Sequence, residues 1–583
     1  MKGIFSIQSN MHGGKWEVIA PFVGLIIGMV FFAFHVTGFG LEFFAGDLGD
    51  ARLNLYFLEH AHQYFLGKLD SYWDAPFMVP EPNVIAFSDN LLGTAPLYSS
   101  FRLFGADIFL AYQLWFLVIC AFNYVAAYFF FRYLLPNPYT CALGAMVFAF
   151  SLALHSQLPH AQTFPRFAIP LAMWMAAVFW KTGAIRYFFL AVLFLVYQIY
   201  CGIYLGFLLA IPLGLFLLLA IGRWRWGAQA PRKVLPWWLL ILLSVVANLA
   251  MLMPLMLPYV ERSVDPESWH YASVVRSLPT LKSYISTVPT SLFWHRLSEI
   301  GVDVPEYWNQ QIFTGMLASM AFVASAFLLL RSFFAYRLPD PIRALFAVGL
   351  ITFGLFLRFD ELTAYIAVYY LPGFTSLRAL ARIINVELLF FALSLSYVAF
   401  LLFGKMGKRQ YLLFLPAAAV IMLDNFAVVE PPYRSEVREA RERLEVFEEV
   451  MAELPEGATF SLEALGSDVS SRDNHLDAML LAQMHGMKTV NAYTALCPSE
   501  YSTFWHESST DGRERWLESR NDLPFDTLHI IRGKRHRYLR ISDDTIDFRK
   551  ADKIWLETKV EDWKEIMRND STWYSALIHK AKK

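Results

Sequence analysis

Runs of about 18–25 apolar residues recur along this chain, the length at which a helix crosses a hydrocarbon core of roughly 30 Å. Lipid offers no partner to backbone N–H and C=O groups, so only helices or closed barrels span it. The alternating segments of a barrel do not occur in the sequence. Composition agrees: 56% of the 583 residues are hydrophobic and 17% charged, with a mean hydropathy of +0.40. A soluble chain could not solvate such a surface. The expected fold is an α-helical polytopic membrane protein with about eleven transmembrane helices.

Spans are expected near 17–38, 107–133, 139–155, 167–181, 186–201, 203–221, 236–258, 312–331, 343–357, 383–403 and 410–429. The apolar stretch 186–221 is too long for one crossing and divides at Cys201-Gly202. The N-terminal residues lack a signal peptide's short apolar core and cleavage site, so the first span reads as uncleaved. Lys and Arg in short loops mark the cytoplasmic side. With a cytoplasmic N-terminus these are Arg132; Lys181 and Arg186; Arg223, Arg225, Arg232 and Lys233; Arg331, Arg337 and Arg343; and Lys405, Lys408 and Arg409. All fall on one side. An odd number of spans then places the C-terminal region outside, as part of a cell (inner or plasma) membrane protein.

Two outside segments, 40–106 and 259–311, are too long to be mere connectors. Composition changes at Glu430-Pro431-Pro432, which predicts a transmembrane domain over 1–430 and a small soluble extracytoplasmic α/β domain over 431–583. In the latter, Val437, Ala440, Leu444, Phe447, Met451 and Leu454 mark an amphipathic helix. Strand-like runs follow at 458–462, 488–493 and 527–532.

A net charge of -1 argues against nucleic acid as a partner. The cysteines Cys120, Cys141, Cys201 and Cys497 are scattered, without metal-ligand spacing. No glycine-rich phosphate loop and no serine nucleophile elbow occur.

Four polar clusters are candidates for chemistry, all on the outer side. In GDLGDARLNLYFLEH, Asp47, Asp50 and Asn54 fall at i, i+3 and i+7, a polar face beside an apolar stripe of an interfacial helix, with His60 at its end. Close carboxylates suit a general base or could bracket a divalent cation. A helix cap with a solvated face is the bland alternative. Asp89, ahead of another apolar run, is either a cap or a site residue. His155, His160, Gln162 and Arg166 gather in the turn between the third and fourth spans, as interfacial residues or a polar lining. Arg378 and Arg382 are spaced i, i+4 and suit a phosphate, or else lipid headgroups. In the second loop, Glu306 and Gln310-Gln311 precede a span and could line the same space, whereas His270 and Trp294-His295-Arg296 suggest no role.

With an acidic motif in the first outside loop and a soluble C-terminal outside domain, the sequence resembles the GT-C superfamily of membrane glycosyltransferases. More narrowly it is similar to a group of bacterial membrane proteins carrying GDLGDARLNLYFLEH, WDAPFMVPEPNVIAFSDNLLGTAPLY, HAQ at 160–162 and VNAYTALCPSEY. The resemblance implies an inverting glycosyltransferase using a polyprenyl-phosphate-linked sugar donor on the extracytoplasmic face, with a lipid or glycan acceptor. It implies Asp50 as the base and Asp47 as partner or metal ligand, with Arg378 and Arg382 on the phosphate. Many such enzymes carry adjacent acids or Asp-x-Asp; here the two are three apart, so no cofactor is assigned and Mg or Mn stays an option. A transporter or flippase of a lipid-linked glycan, and a non-catalytic envelope-assembly protein, are the alternatives. Outward polar clusters without repeat symmetry disfavour transport.

Overall fold

The structure, a computed structural model, describes residues 15–226, 234–262, 271–334, 338–360, 362–404, 409–463, 470–520, 523–532 and 535–540. Arg232, Lys233, His270, Arg337, Lys405, Lys408, residues 541–583 of the expected C-terminal domain and most of the N-terminal leader lie outside them. The chain forms two compact units, one of Met1–Asp47 with Asn90–Arg434 and one of Leu48–Asp89 with Ser435–Lys583. Residues 48–89, expected as an outside loop of a 1–430 domain, thus fold with the C-terminal residues.

The first unit is helical. Among the described residues, seven helices are long and apolar enough to cross a membrane: Glu17–Thr37, Ile108–Leu134, Pro138–Gln157, Ala161–Thr182, Ile203–Arg225, Pro236–Arg262 and Leu380–Phe403. Ile185–Cys201, Met316–Ser332 and Gln410–Asp424 are shorter apolar helices, and Asp340–Phe356 is a further helix of 17 residues. Among the described residues, seven of the eleven expected spans thus meet that length and hydropathy, and the other four are helices of 15 to 17 residues. The long apolar stretch does break at Gly202, whose N–H closes the preceding helix on Gln198 O at 3.0 Å.

The segment expected to span 312–331 begins its helix only at Met316. Asp424 accounts for this: its carboxylate accepts from the N–H groups of Met316 (3.1 Å) and Leu317 (3.0 Å) and from Trp294 Nε1 (3.0 Å). An acid at a helix N-terminus satisfies donors that nothing within the helix can reach.

In the second unit a sheet runs in the order Lys488–Thr489, Thr459–Glu463, Thr527–Arg532, Arg535–Arg540. The first three strands are parallel and the last antiparallel. Phe460, Leu462, Leu476, Leu480, Val490 and Leu528 are buried around it. The strand expected over 488–493 stops at Thr489 because the Asn491 side chain takes over the edge. Its Oδ1 accepts from Leu462 N at 2.8 Å and its Nδ2 donates to Leu462 O at 2.8 Å. The amphipathic helix expected from Val437 is two, Val437–Glu445 and Glu448–Glu453, with Ala440, Leu444, Phe447 and Met451 buried as the spacing requires.

Candidate functional site

The helix of the acidic motif starts at Asp50 and runs to Phe65, with Gly49 in the capping position. Asp47 therefore precedes the helix and belongs to the other unit, so the expected polar face of Asp47, Asp50 and Asn54 does not form. Nor is the helix interfacial. Ala51 to His62 are all buried, as befits an element surrounded by protein. Its polar residues find partners inside the unit. Arg52, wholly buried, pairs with Asp477 and, at 3.4 Å, with Asp473. His60 lies parallel to the Tyr56 ring at 6.0 Å, and its Nε2 meets Tyr72 O at 2.8 Å. Burial pulls its imidazole down to about 4, against a smaller opposing effect of that carbonyl. A neutral ring on a backbone carbonyl is a packing role.

Asp50 is different: it is half-buried at the mouth of the helix. Its Oδ1 accepts a hydrogen bond from the Tyr493 phenol at 3.1 Å. The Tyr493 ring stacks on Trp505, centroids 5.8 Å apart at 12°. Asn54 donates to the Asp50 backbone carbonyl at 2.7 Å. The guanidinium of Arg472 sits over Gly49, 2.6 Å from where a Cβ would be placed, and its Nε lies 3.4 Å from Asp473. Tyr493 belongs to the VNAYTALCPSEY motif but had no role assigned from the sequence, and Trp505 and Arg472 carried no local signal; only the fold brings Tyr493 to Asp50.

Asp89 is half-buried in the same unit, and the next helix starts only at Ala95 with Thr94 in the capping position. Burial, and secondarily the charge of Asp89, push the Tyr72 phenol well above its ordinary range.

In the first unit the polar turn is more buried than expected. His155 lies within the Pro138–Gln157 helix, its Nδ1 3.2 Å from Leu152 O and its ring edge-on to Phe32 at 5.1 Å. Arg166 is wholly buried, with its backbone N–H on Asn123 Oδ1 (3.0 Å) and its guanidinium 5.2 Å from the Phe148 ring centroid. His160 and Gln162 are half-buried. Glu306 is exposed with φ +54°, while Gln310 and Gln311 are buried.

Arg378 and Arg382 do not share an α-helical face. Arg378 lies outside any helix, and Arg382 in the short 3₁₀ turn Leu380–Ile383. Tyr204 gathers both instead. Its hydroxyl accepts from the backbone N–H of Arg378 (2.7 Å) and of Ala379 (3.3 Å), and the Arg382 guanidinium lies 5.0 Å from its ring centroid. The Arg378 side chain is exposed.

Among the described residues, no three His, Cys, Asp or Glu side chains group closely enough to hold a metal ion.

No protein-family model matches the sequence, and no curated protein matches it significantly. Among solved structures it is similar to the apo crystal structure of the Archaeoglobus fulgidus oligosaccharyltransferase, with a TM-score of 0.45 and 12% identity over 88% of this chain and 69% of that one. It is likewise similar to the archaeal oligosaccharyltransferase AglB from Archaeoglobus fulgidus in complex with an inhibitory peptide and a dolichol-phosphate. There the TM-score is 0.46 and the identity 11%, over the same shares of the two chains.

Proposed function

We propose that the chain is an inverting membrane glycosyltransferase. It takes sugar from a polyprenyl-phosphate-linked donor on the extracytoplasmic face and passes it to a lipid or glycan acceptor. The observation that carries the reading is Asp50. It is half-exposed at the start of its helix, with the Tyr493 phenol on its carboxylate, whereas Asp473 and Asp477 in the same unit are buried.

In this reaction Asp50 accepts the proton of the acceptor hydroxyl. The hydroxyl oxygen forms a bond to the anomeric carbon, the bond from that carbon to the phosphate oxygen breaks, and the phosphate leaves with the electron pair. Arg378 and Arg382 are offered for the phosphate on their chemistry, as guanidinium groups suited to its oxygens. The resemblance noted in the sequence motifs supports the same role for Asp50.

Transfer from a radiolabelled polyprenyl-phosphate sugar by the purified protein tests the reading. Asp50→Asn keeps the shape and removes the base, and lowers the rate by about 10²- to 10⁴-fold. Undiminished transfer by that variant removes Asp50 from the role. Movement of labelled lipid across liposomes without covalent transfer would replace the reading by a flippase.

A further inference from the structure

The stretch Val490–Tyr501 stands out in the sequence, yet the proposed chemistry assigns it no part. We propose that its Tyr493 is a positioning residue that sets the angle of the Asp50 carboxylate; this rests on the sugar-transfer reading.

An aspartate carboxylate turns broadly about its last side-chain bond. A base that must meet a hydroxyl proton within about 2.6–3.2 Å gains from having that rotation stopped. The phenol of Tyr493 does this through its 3.1 Å bond to Oδ1. A single hydrogen bond fixes an angle only if the donor is itself fixed, and the structure holds Tyr493 from several directions. Its ring lies flat on Trp505. Its backbone N–H points at Met479 Sδ, 3.2 Å away. On the N-terminal side, Ala492 N–H donates to His475 Nδ1 (3.2 Å), and Asn491 is bonded to both backbone groups of Leu462. On the C-terminal side, Ala495 N–H donates to Ser88 Oγ (3.0 Å) and Leu496 N–H to Phe87 O (3.1 Å). The segment is pinned to the sheet on one side and to the Phe87-Ser88 stretch on the other, with the phenol between them. Plain packing would need the ring alone; here the hydroxyl of a half-buried tyrosine goes to a carboxylate.

The test is Tyr493→Phe, which keeps the ring and its stack and removes only the donor. A hydrogen bond to a charged group corresponds to a fall in kcat of about 10- to 100-fold, with KM for the donor lipid unchanged. Placed in the Asp50→Asn background, the same substitution costs nothing further, because Tyr493 acts only through that carboxylate. An unchanged kcat, or an equal loss repeated in the Asp50→Asn background, overturns the proposal. Should Tyr493→Phe fail to fold, Trp505→Leu frees the ring instead, with the same expectation for kcat and KM and an unchanged kcat again overturning it. If the unaltered protein transfers no sugar, the glycosyltransferase reading fails while the positioning contact is still decided by infrared spectroscopy. The carboxylate band that vanishes in Asp50→Asn moves in Tyr493→Phe if the bond exists, and an unmoved band overturns it.

Discussion

Arg52, wholly buried in the first turn of the Asp50–Phe65 helix, is ion-paired with Asp477 on the Ser471–His485 helix, 425 residues away in the chain. Arg443 holds the other carboxylate oxygen of Asp477 at 2.5 Å. Burial alone would push this carboxyl up, but the charges of Arg443 and Arg52 hold it below the usual carboxylate range. The pairing joins the first acidic motif to the C-terminal residues.

Removing one partner leaves buried charge behind. Arg52→Met is expected to destabilise the second unit by about 3–5 kcal/mol, read as a lower melting temperature of the purified protein. Arg52→Lys, which keeps the charge but loses the forked geometry, should lie between that variant and the unaltered protein. A melting temperature unchanged in Arg52→Met would show that the pair contributes nothing.

Acid should loosen the same unit through its histidines. His60 and His475 are buried, and burial lowers both imidazoles to about 4, with carbonyl contacts opposing it. A group that resists protonation when folded contributes stability above its unfolded value near 6.5 and loses it as pH falls toward 4. Each ring thus removes about 1.4 kcal/mol per pH unit across that window. The melting temperature should fall between pH 6.5 and 4.5, and fall less steeply in His475→Gln. Flat stability across that range would contradict the neutral, buried placement.

Asn491 replaces a strand edge with its side chain, bonding both backbone groups of Leu462 and receiving Thr489 Oγ1 at 3.1 Å. Asn491→Ala strands these buried groups and should cost about 2–4 kcal/mol. Hydrogen exchange at Leu462 and Val490, faster than in the unaltered protein, would locate the damage; unchanged exchange would refute it.

Tyr204 organises the two arginines offered for phosphate. Tyr204→Phe keeps the ring face under Arg382 but releases the backbone N–H groups of Arg378 and Ala379. The expected outcome is a donor KM raised about 5- to 10-fold with little change in melting temperature. An unaltered KM would take these arginines out of donor binding.

What the sequence determined by itself is the membrane class. Lipid is a solvent that rewards an unbroken apolar run of fixed length, a property carried entirely by neighbouring residues. The break at Cys201-Gly202 and the buried spacing of Ala440, Leu444 and Met451 are legible for the same local reason. Periodicity could not say whether the helix at Asp50 lies on a surface or inside protein, since a stripe of leucines is compatible with both. It placed Asp47 on a helix that begins three residues later, and it put Arg378 and Arg382 on a helical face the chain does not build. Only the tertiary structure decided that residues 48–89 fold with the C-terminal unit. It also set Tyr493 against Asp50 across 443 residues. That pairing depends on burial, ion pairs and stacking between distant segments, and a local pattern holds no record of which distant partner satisfies it.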